Sequence, residues 1–383
     1  MTTVQTLNGK LVVVAVTGSI AAVEVVRLIH SLRRCGASVQ AVMSPAATGI
    51  ISPESLTYAS GRPVITRITG MVEHVTYCGD GGSADLLLVA PCTANTIGKI
   101  ACGIDDTPVT TFVTTALGSG IPILVVPAMH HSMYRHPAVR ENLERIRSWS
   151  VGIVDPRVEE GKAKIADNET IVLWCERMML KHPLKGRRVL ITSGPCREII
   201  DDVRVLTTRS TGLMGRALAL EAFRLGADVT VVHRDAFPCI TNVPADSAAE
   251  MREAVHRCFS TGGGADIYIS AAAISDFVPK KFKGKIPSGK KTRLELEPQP
   301  KLLDEVIRQW APLTVAFKLG TAPEKQADQM LAKGVTAVLM NAPGTMGSRE
   351  GEYTLLSAHG QNKMKGSKDA VAHEFWKKMM AFV

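Results

Sequence analysis

The feature that most restricts this chain is a rhythm in which short runs of β-branched and aliphatic residues alternate with stretches whose apolar residues recur at helical spacing. "KLVVVAVTGS" is followed by "IAAVEVVRLIHSLRRCGA" and then by "SVQAVMS". Strand, helix, strand in that order makes a parallel pair joined by a helical crossover. The order recurs in "ADLLLVAP" with the helix after it, and in "IPILVVPAM" with "PAVRENLERIRS". A parallel sheet covered by helices is the fold that buries all of these faces. Near Leu184 the rhythm restarts. After the polar, proline-containing joint "MLKHPLKG" come the strand-like "RRVLITSGP", the helical "MGRALALEAFRLGA", and the strands "DVTVVH" and "ADIYISAAA". "LTVAFKLG" and "AVLMNAP" read as later strands, "KLLDEVIRQW" and "PEKQADQMLAKG" as helices, and "AVAHEFWKKMMAF" as a last amphipathic helix. We therefore expect two α/β domains, residues 1–184 and 185–383, each a doubly wound, mostly parallel sheet. Neither half repeats the sequence of the other.

Composition removes several function classes. No apolar run approaches a membrane span, and "MTTVQTLNGK" lacks the apolar stretch of a secretory signal, so the expected location is cytoplasmic, with no membrane partner. The eight cysteines are scattered without a C-x-x-C pair, which argues against structural zinc and against a disulfide framework. A net charge of +9 suits anionic partners. Its lysines and arginines are dispersed, the densest segment being "KKFKGKIPSGKK" (Lys280 to Lys291), and aromatic residues make up only 5%. Nucleic-acid binding is set aside because the cations lack an aromatic or helical reading surface; phosphorylated small substrates fit the charge equally well.

Three loops of the first half fall at the carboxyl ends of parallel strands, where open α/β sheets bind ligands. "VTGSIAA" places Gly18 and Ser19 between a strand and a helix, a position that favours an anion, although it lacks the three-glycine dinucleotide pattern. "MSPAAT" brings Ser44 and Thr48, and "APCTANTIGKIACGI" brings Pro91, Thr93, Ala94, Asn95 and Thr96. Together with "VVPAMHHSMY" these loops resemble the signature segments of the homo-oligomeric flavin-containing cysteine decarboxylases. The resemblance implies a flavodoxin-like domain that binds FMN through these residues and through Ala128 and Met129. It makes Asn95 and His130 substrate-binding and aligns His74, in "GMVEHVTY", with the family's active-site histidine. The implied chemistry is oxidation of a cysteinyl thiol by hydride transfer to FMN, followed by loss of carbon dioxide. His130 stands where the bacterial pattern P-A-M-N has asparagine, and the bacterial proton-donating flap cysteine has no counterpart between Met133 and Lys164. "VEEGKAKIAD" takes the place of the flap end and offers Glu159 or Lys162. Cys78, Cys92 and Cys102 lie near these loops in sequence and are expected to be buried structural thiols.

The second half carries a longer match. "LITSGPCREIIDDVRVLTTRSTGLMGRALALEA" resembles the phosphopantothenate–cysteine ligase domain, a Rossmann-like fold, in its T-x-G-x-x-R-E-x-I-D segment and its loop opening a helix. Ser210, Thr211 and Gly212 are the implied substrate-binding residues, with Gly215 letting backbone approach a ligand. "SAAAISDF" supplies Ser270, Ala271, Ala272 and Asp276 to a nucleotide site, Asp276 also holding Mg²⁺. Lys285 in "GKIPSGK" aligns with the family's catalytic loop lysine, and Phe317, Lys333 and Asn341 complete the nucleotide set. Thr208 replaces the asparagine of the N-x-S-S-G loop, Gly320 a glutamate, and Ala342 the aspartate after Asn341.

The resemblance covers nearly the whole chain in the fused order of the bifunctional enzymes of coenzyme A biosynthesis. It implies CTP-dependent ligation of 4'-phosphopantothenate to cysteine through an acyl-cytidylate, then FMN-dependent decarboxylation to 4'-phosphopantetheine. The implied assembly is a homo-oligomer, either a trimer through the flavin domain or a dodecamer in which ligase domains pair. Two rivals stay open on the residues alone: a flavoprotein of this fold with another substrate, and a catalytically impaired regulatory homologue.

Overall fold

The run Leu86–Cys92 is apolar and buried at every position, as a strand covered on both faces must be. In a computed structural model, which describes residues 4–159, 162–261, 263–289 and 291–383, it is the middle strand of a five-stranded sheet. The described residues divide between Leu180 and Lys181 into two units. No helix among them is long and apolar enough to cross a membrane.

In the first unit, β1 (Leu11–Val16), β2 (Ser38–Met43), β3 (Leu86–Cys92), β4 (Ile123–Pro127) and β5 (Gly152–Ile153) lie in the order β2-β1-β3-β4-β5. Every neighbouring pair is parallel. The crossovers are α1 (Val25–Arg34), α2 (Glu73–Cys78), α3 (Ala94–Cys102), α4 (Pro108–Ser119) and α5 (Pro137–Ser148), and α6 (Asn168–Met179) closes the unit. The two-residue period of β1 divides it between two cores. Val12, Val14 and Val16 pack with Leu28, Ile29 and Ile171 on one face, and Val13 and Ala15 with Ile97, Phe112 and Val113 on the other. Each large aliphatic or aromatic side chain so removed from water contributes about 1.5–3 kcal/mol. The order reverses between β1 and β3, which opens a crevice beyond their carboxyl ends.

The second unit holds β6 (Arg188–Thr192), α7 (Leu213–Arg224), β7 (Asp228–His233), β8 (Thr241–Pro244), α8 (Ala248–Ser260), β9 (Ile267–Ser270), α9 (Leu302–Trp310), β10 (Leu313–Leu319), α10 (Glu324–Ala332), β11 (Ala337–Asn341), β12 (Glu350–Ser357), β13 (Gly360–Ser367) and α11 (Lys368–Met379). Its sheet runs β8-β7-β6-β9-β10-β11-β12-β13. The strands from β8 to β11 are parallel, and β12 and β13 add an antiparallel hairpin. The first six follow the Rossmann order, with the reversal between β6 and β9. Two doubly wound, mostly parallel domains are therefore present as expected. The terminal hairpin, and the small hairpins Arg197–Ile199 with Val205–Thr207 and Phe277–Pro279 with Leu296–Pro298, are additions that the strand-helix rhythm does not announce.

Candidate functional sites

In the first unit three helix starts meet at the crevice, each capped by a small hydroxyl residue within three residues of a strand end. Ser19 accepts from Ala21 N–H at 3.4 Å, Ser44 from Ala47 N–H at 3.3 Å, and Thr93 from Thr96 N–H at 3.2 Å. A cap satisfies one of the donors a helix start leaves open; the others face outward with the positive end of the helix. The loops after β1 and β3 are tied together. Thr17 donates to the Pro91 carbonyl from its N–H at 3.3 Å and its hydroxyl at 2.7 Å, and Thr93 N–H donates back to the Thr17 hydroxyl at 3.1 Å. Gly18 is required here because a Cβ would lie 2.5 Å from the Cβ of Ala46 on the next loop.

The resulting hollow, about 540 Å³, is lined by Gly18, Ser19, Ser44, Thr93, Ala94, Asn95, Thr96, Ala128 and Met129 of the predicted set. Asn95 is exposed in it, at the second position of α3. A second hollow of about 810 Å³ shares Ser19, Ala128 and Met129 and adds His130, the cations Arg27, Arg157 and Lys164 and the carboxylates Glu24 and Asp167, Arg27 lying 3.6 Å from Glu24. His130 caps the short helix His131–Tyr134, its Nδ1 lying 2.8 Å from the Ser132 hydroxyl. Arg157–Glu159 and Lys162–Lys164 form an antiparallel hairpin that pairs Ala163 with Met129 and Lys162 with His130. The segment in place of the flap thus runs beside the P-A-M-H loop; the side chains of Glu159 and Lys162 lie outside the described residues.

Other predicted residues are not brought into these hollows. Thr48 is exposed and donates to the Pro45 carbonyl at 2.8 Å. Pro91 is buried, and its carbonyl is held by Thr17. His74 sits in the first turn of α2, after Val72 in a left-handed conformation (φ 45°), in a loop closed by Thr69 N–H donating to Glu73 at 2.9 Å. Its Nδ1 is buried and has no partner among the described residues. Of the cysteines, Cys78 and Cys92 are buried as expected, and burial pushes the Cys78 thiol up to about 12 and that of Cys92 higher still. Such thiols are inert at neutral pH. The expectation for Cys102 is corrected: it is exposed, because it ends α3 just before Gly103.

A flavin nucleotide fits the first hollow. Its rim is mostly small side chains over which a flat ring can lie close to backbone, no carboxylate lines it, and helix starts suit a phosphate.

In the second unit the loop after β6 opens α7 through Gly212, whose φ of +71° is left-handed. At Gly215 a Cβ would come 2.2 Å from the Ser193 hydroxyl, so the first turn of α7 lies directly on the end of β6. The pocket at this reversal, about 190 Å³, is lined by Ser210, Thr211, Gly212, Ala271, Ala272, Phe317 and Asn341 of the predicted residues, and by Gly215. It also takes in Thr345, Tyr353 and Lys368, which sequence reasoning missed. Lys368 opens the final helix, and the signal for it was a lysine at a helix start, against the dipole.

Ser270, Asp276, Lys285 and Lys333 do not line this pocket. Ser270 ends β9. Asp276 and Lys285 are exposed, and Lys333 ends α10 with its ammonium 3.1 Å from Asp304. The loop of Lys285 is nevertheless anchored. The buried Asp201 carboxylate accepts from Ile286 N–H at 3.0 Å, from Val203 N–H at 2.8 Å and from Arg204 N–H at 2.7 Å, and pairs with the Arg204 guanidinium, which also donates to the Ile286 carbonyl at 3.3 Å. These donors, the Ile286 N–H foremost, hold the Asp201 carboxyl well below the usual carboxylate range. Thr208 keeps a buried hydroxyl with no partner among the described residues. Among those residues no group of three or more His, Cys, Asp or Glu stands together to hold a metal ion. Mg²⁺ travelling on a triphosphate needs no such cage, since it keeps several waters and one or two carboxylates.

Two doubly wound units, one with a charge-poor hollow of small residues and one with a glycine-rich pocket holding a buried ammonium, define a fused α/β protein with a pocket at the strand-order reversal of each unit. The Flavoprotein family matches residues 2–179, and the DNA/pantothenate metabolism flavoprotein C-terminal domain matches residues 184–382. The coenzyme A biosynthesis bifunctional protein CoaBC of Thermococcus kodakarensis is 44% identical over 383 residues, spanning 97% of this chain and 94% of its own. Its counterpart in Methanocaldococcus jannaschii is 36% identical over 79% of this chain and 74% of its own. Among solved structures, the C-terminal domain of a coenzyme A biosynthesis bifunctional protein CoaBC is 30% identical with a TM-score of 0.44, covering 53% of this chain and 98% of that one. A PPC decarboxylase mutant complexed with pantothenoylaminoethenethiol is 25% identical with a TM-score of 0.39, covering 43% and 96%. The chain belongs to the family of coenzyme A biosynthesis bifunctional proteins.

Proposed function

We propose that the chain catalyses two consecutive steps: CTP-dependent joining of 4'-phosphopantothenate to cysteine in the second unit, and FMN-dependent decarboxylation of 4'-phosphopantothenoylcysteine in the first. The observation that carries this reading is the presence of one ligand pocket at the strand-order reversal of each unit, each lined by the loops that match its half of the family.

In the second unit a carboxylate oxygen of phosphopantothenate attacks the α-phosphorus of CTP and pyrophosphate leaves. The cysteine amine then displaces CMP from the acyl-cytidylate. The glycine-rich start of α7 presents N–H groups to phosphate oxygens, and Lys285, on the loop pinned by Asp201, brings an ammonium to the charge that gathers in the transition state. In the first unit, bound FMN supplies the two-electron chemistry that makes the carbon beside the carboxylate ready to release carbon dioxide. The Ser19, Ser44 and Thr93 loops hold the cofactor, and Asn95 offers its amide to the substrate. His130, in the adjoining hollow, receives the substrate's carboxylate. His74 handles a proton, its unpartnered buried Nδ1 suiting a group completed only when substrate or a second subunit arrives. A homo-oligomer fits this, since Ile20 and Met133, which line the two hollows, and Met71, Val72 and Val75, beside His74 in sequence, are exposed large apolar residues. Trimer or dodecamer through the flavin unit, paired ligase units and a cytoplasmic location complete the reading. The test is to supply 4'-phosphopantothenate, cysteine, CTP and Mg²⁺ to the flavin-loaded chain. Release of CMP and pyrophosphate with formation of 4'-phosphopantetheine is expected; no CMP release from a yellow, folded protein would favour a regulatory homologue.

A further inference from the structure

Lys368 breaks three local preferences at once. It is the first residue of α11, where the helix dipole is positive and a cation is disfavoured. It is 8% exposed, although lysine is among the residues least often buried. Among the described residues its ammonium donates to the Tyr353 hydroxyl and, at 3.3 Å, to the Thr345 carbonyl, and ion-pairs with no carboxylate. Burial raises the Tyr353 phenol above its ordinary range, so the ring beside the ammonium, 4.7 Å from Nζ to the centroid, stays neutral. Burial likewise lowers the Lys368 ammonium below the ordinary lysine range. Hydrogen bonds and a ring face offset only part of the cost of burying a cation without a counter-ion, and a residue that breaks local preferences in this way marks a functional site.

The pocket identifies what that is. Lys368 lines the same cavity as Ser210, Gly212 and Gly215, so its ammonium and the start of α7 border one space. The two helices are held together behind it, His373 Nδ1 lying 2.8 Å from Glu221 Oε1 and Trp376 Nε1 donating to the Leu218 carbonyl at 2.9 Å. Lys368 is thereby preorganised and not a mobile surface lysine. An ammonium and a helix start bordering one pocket select a multiply charged anion.

We propose that Lys368 is a substrate-contacting residue of the ligase step that binds the polyphosphate of the nucleotide and stabilises the pyrophosphate leaving group. This rests on the functional reading above. In the step concerned a bond forms between a carboxylate oxygen and the α-phosphorus, the bond from that phosphorus to the bridging oxygen breaks, and the electron pair departs with pyrophosphate. Lys368 gives up no proton; it neutralises charge that the substrate-free pocket leaves unanswered.

The test uses the full, flavin-loaded chain with Lys368→Met and Lys368→Arg beside wild type, and CTP and inorganic pyrophosphate as probes. Calorimetry should find both probes bound roughly 10- to 100-fold more weakly by Lys368→Met, the range of one lost charge-assisted hydrogen bond, with Lys368→Arg recovering most of the loss. Without ligand, Lys368→Met should melt at the wild-type temperature or above it, because a buried charge has gone; a lysine kept only for packing against Tyr353 would lower it. Decarboxylation of supplied 4'-phosphopantothenoylcysteine should be unchanged. If wild type releases no pyrophosphate from CTP, the functional reading fails. If wild type does so while Lys368→Met binds pyrophosphate as tightly, only this inference fails.

Discussion

One lysine stands on the wall of the first unit's 540 Å³ hollow and one on the wall of the second unit's pocket, and the two are treated in opposite ways. Lys99 borders the first unit's hollow and is neutralised by Asp106 at 2.6 Å on the solvent side. Lys368 borders the second unit's pocket, buried and without a carboxylate. With its lysine cancelled, the first hollow offers small side chains, capped helix starts and an exposed amide, which suit a ligand held by shape and by backbone donors. The second leaves its charge unanswered and recognises its ligand by that charge. One doubly wound topology therefore serves a flat redox cofactor in one unit and a polyphosphate in the other.

The largest effects should separate the units completely. His74→Asn is expected to lower decarboxylation by about 10²- to 10⁴-fold, the usual contribution of a positioned acid–base group, while ligation continues and 4'-phosphopantothenoylcysteine accumulates in mass analysis. Lys285→Gln should lower CMP release by about 10²- to 10³-fold and leave decarboxylation of supplied intermediate intact. If either variant damaged both steps equally, the division of chemistry between the units would be wrong.

A smaller effect tests recognition by shape. Gly18→Val forces a side chain into Ala46 and should cost about 1–3 kcal/mol and most of the bound flavin, read from absorbance after purification, with CMP release unchanged. Full flavin retention would show that close approach of the first two loops is unnecessary.

The smallest effect is a pH dependence confined to the second unit. Burial works to raise the Glu221 carboxyl, but the His373 hydrogen bond and the Arg224 charge outweigh it and leave it lowered. The Glu221 bond, against burial, raises His373 above 6.5. The pair therefore stabilises fully between the two ordinary values. Its contribution falls away as pH drops through the lowered Glu221 value or climbs through the raised His373 value. Half of the imidazole is in water, so the loss should stay under about 1 kcal/mol. Melting curves of wild type should show that shallow alkaline decline, and His373→Ala should lack it.

Much of this was legible in the sequence, for identifiable reasons. Strands buried on both faces, such as Leu86–Cys92, announce themselves as unbroken apolar runs, and loops that cap helices with Ser or Thr directly after them mark the crevice. The hairpin β12–β13 was hidden because its alternation is weak: Tyr353, Leu355 and Ser357 are buried, but Thr354 and Leu356 between them are only partly exposed. Lys368 was hidden for a related reason. It belongs to the pocket only through the packing of α11 on α7, a contact between residues more than 150 apart that no local pattern encodes. Conversely, motif position alone marks His74, Asp276, Lys285 and Lys333, and motif position does not say what a loop approaches in one chain.

The account stands or falls on whether the two units are separate catalysts linked by a shared intermediate. The most direct measurement mixes His74→Asn chains with Lys285→Gln chains and follows 4'-phosphopantothenate, cysteine and CTP by mass analysis. The first variant alone should stop at 4'-phosphopantothenoylcysteine, the second should leave its substrates unjoined, and the mixture should make 4'-phosphopantetheine. A mixture as inactive as the Lys285→Gln chain alone would contradict it.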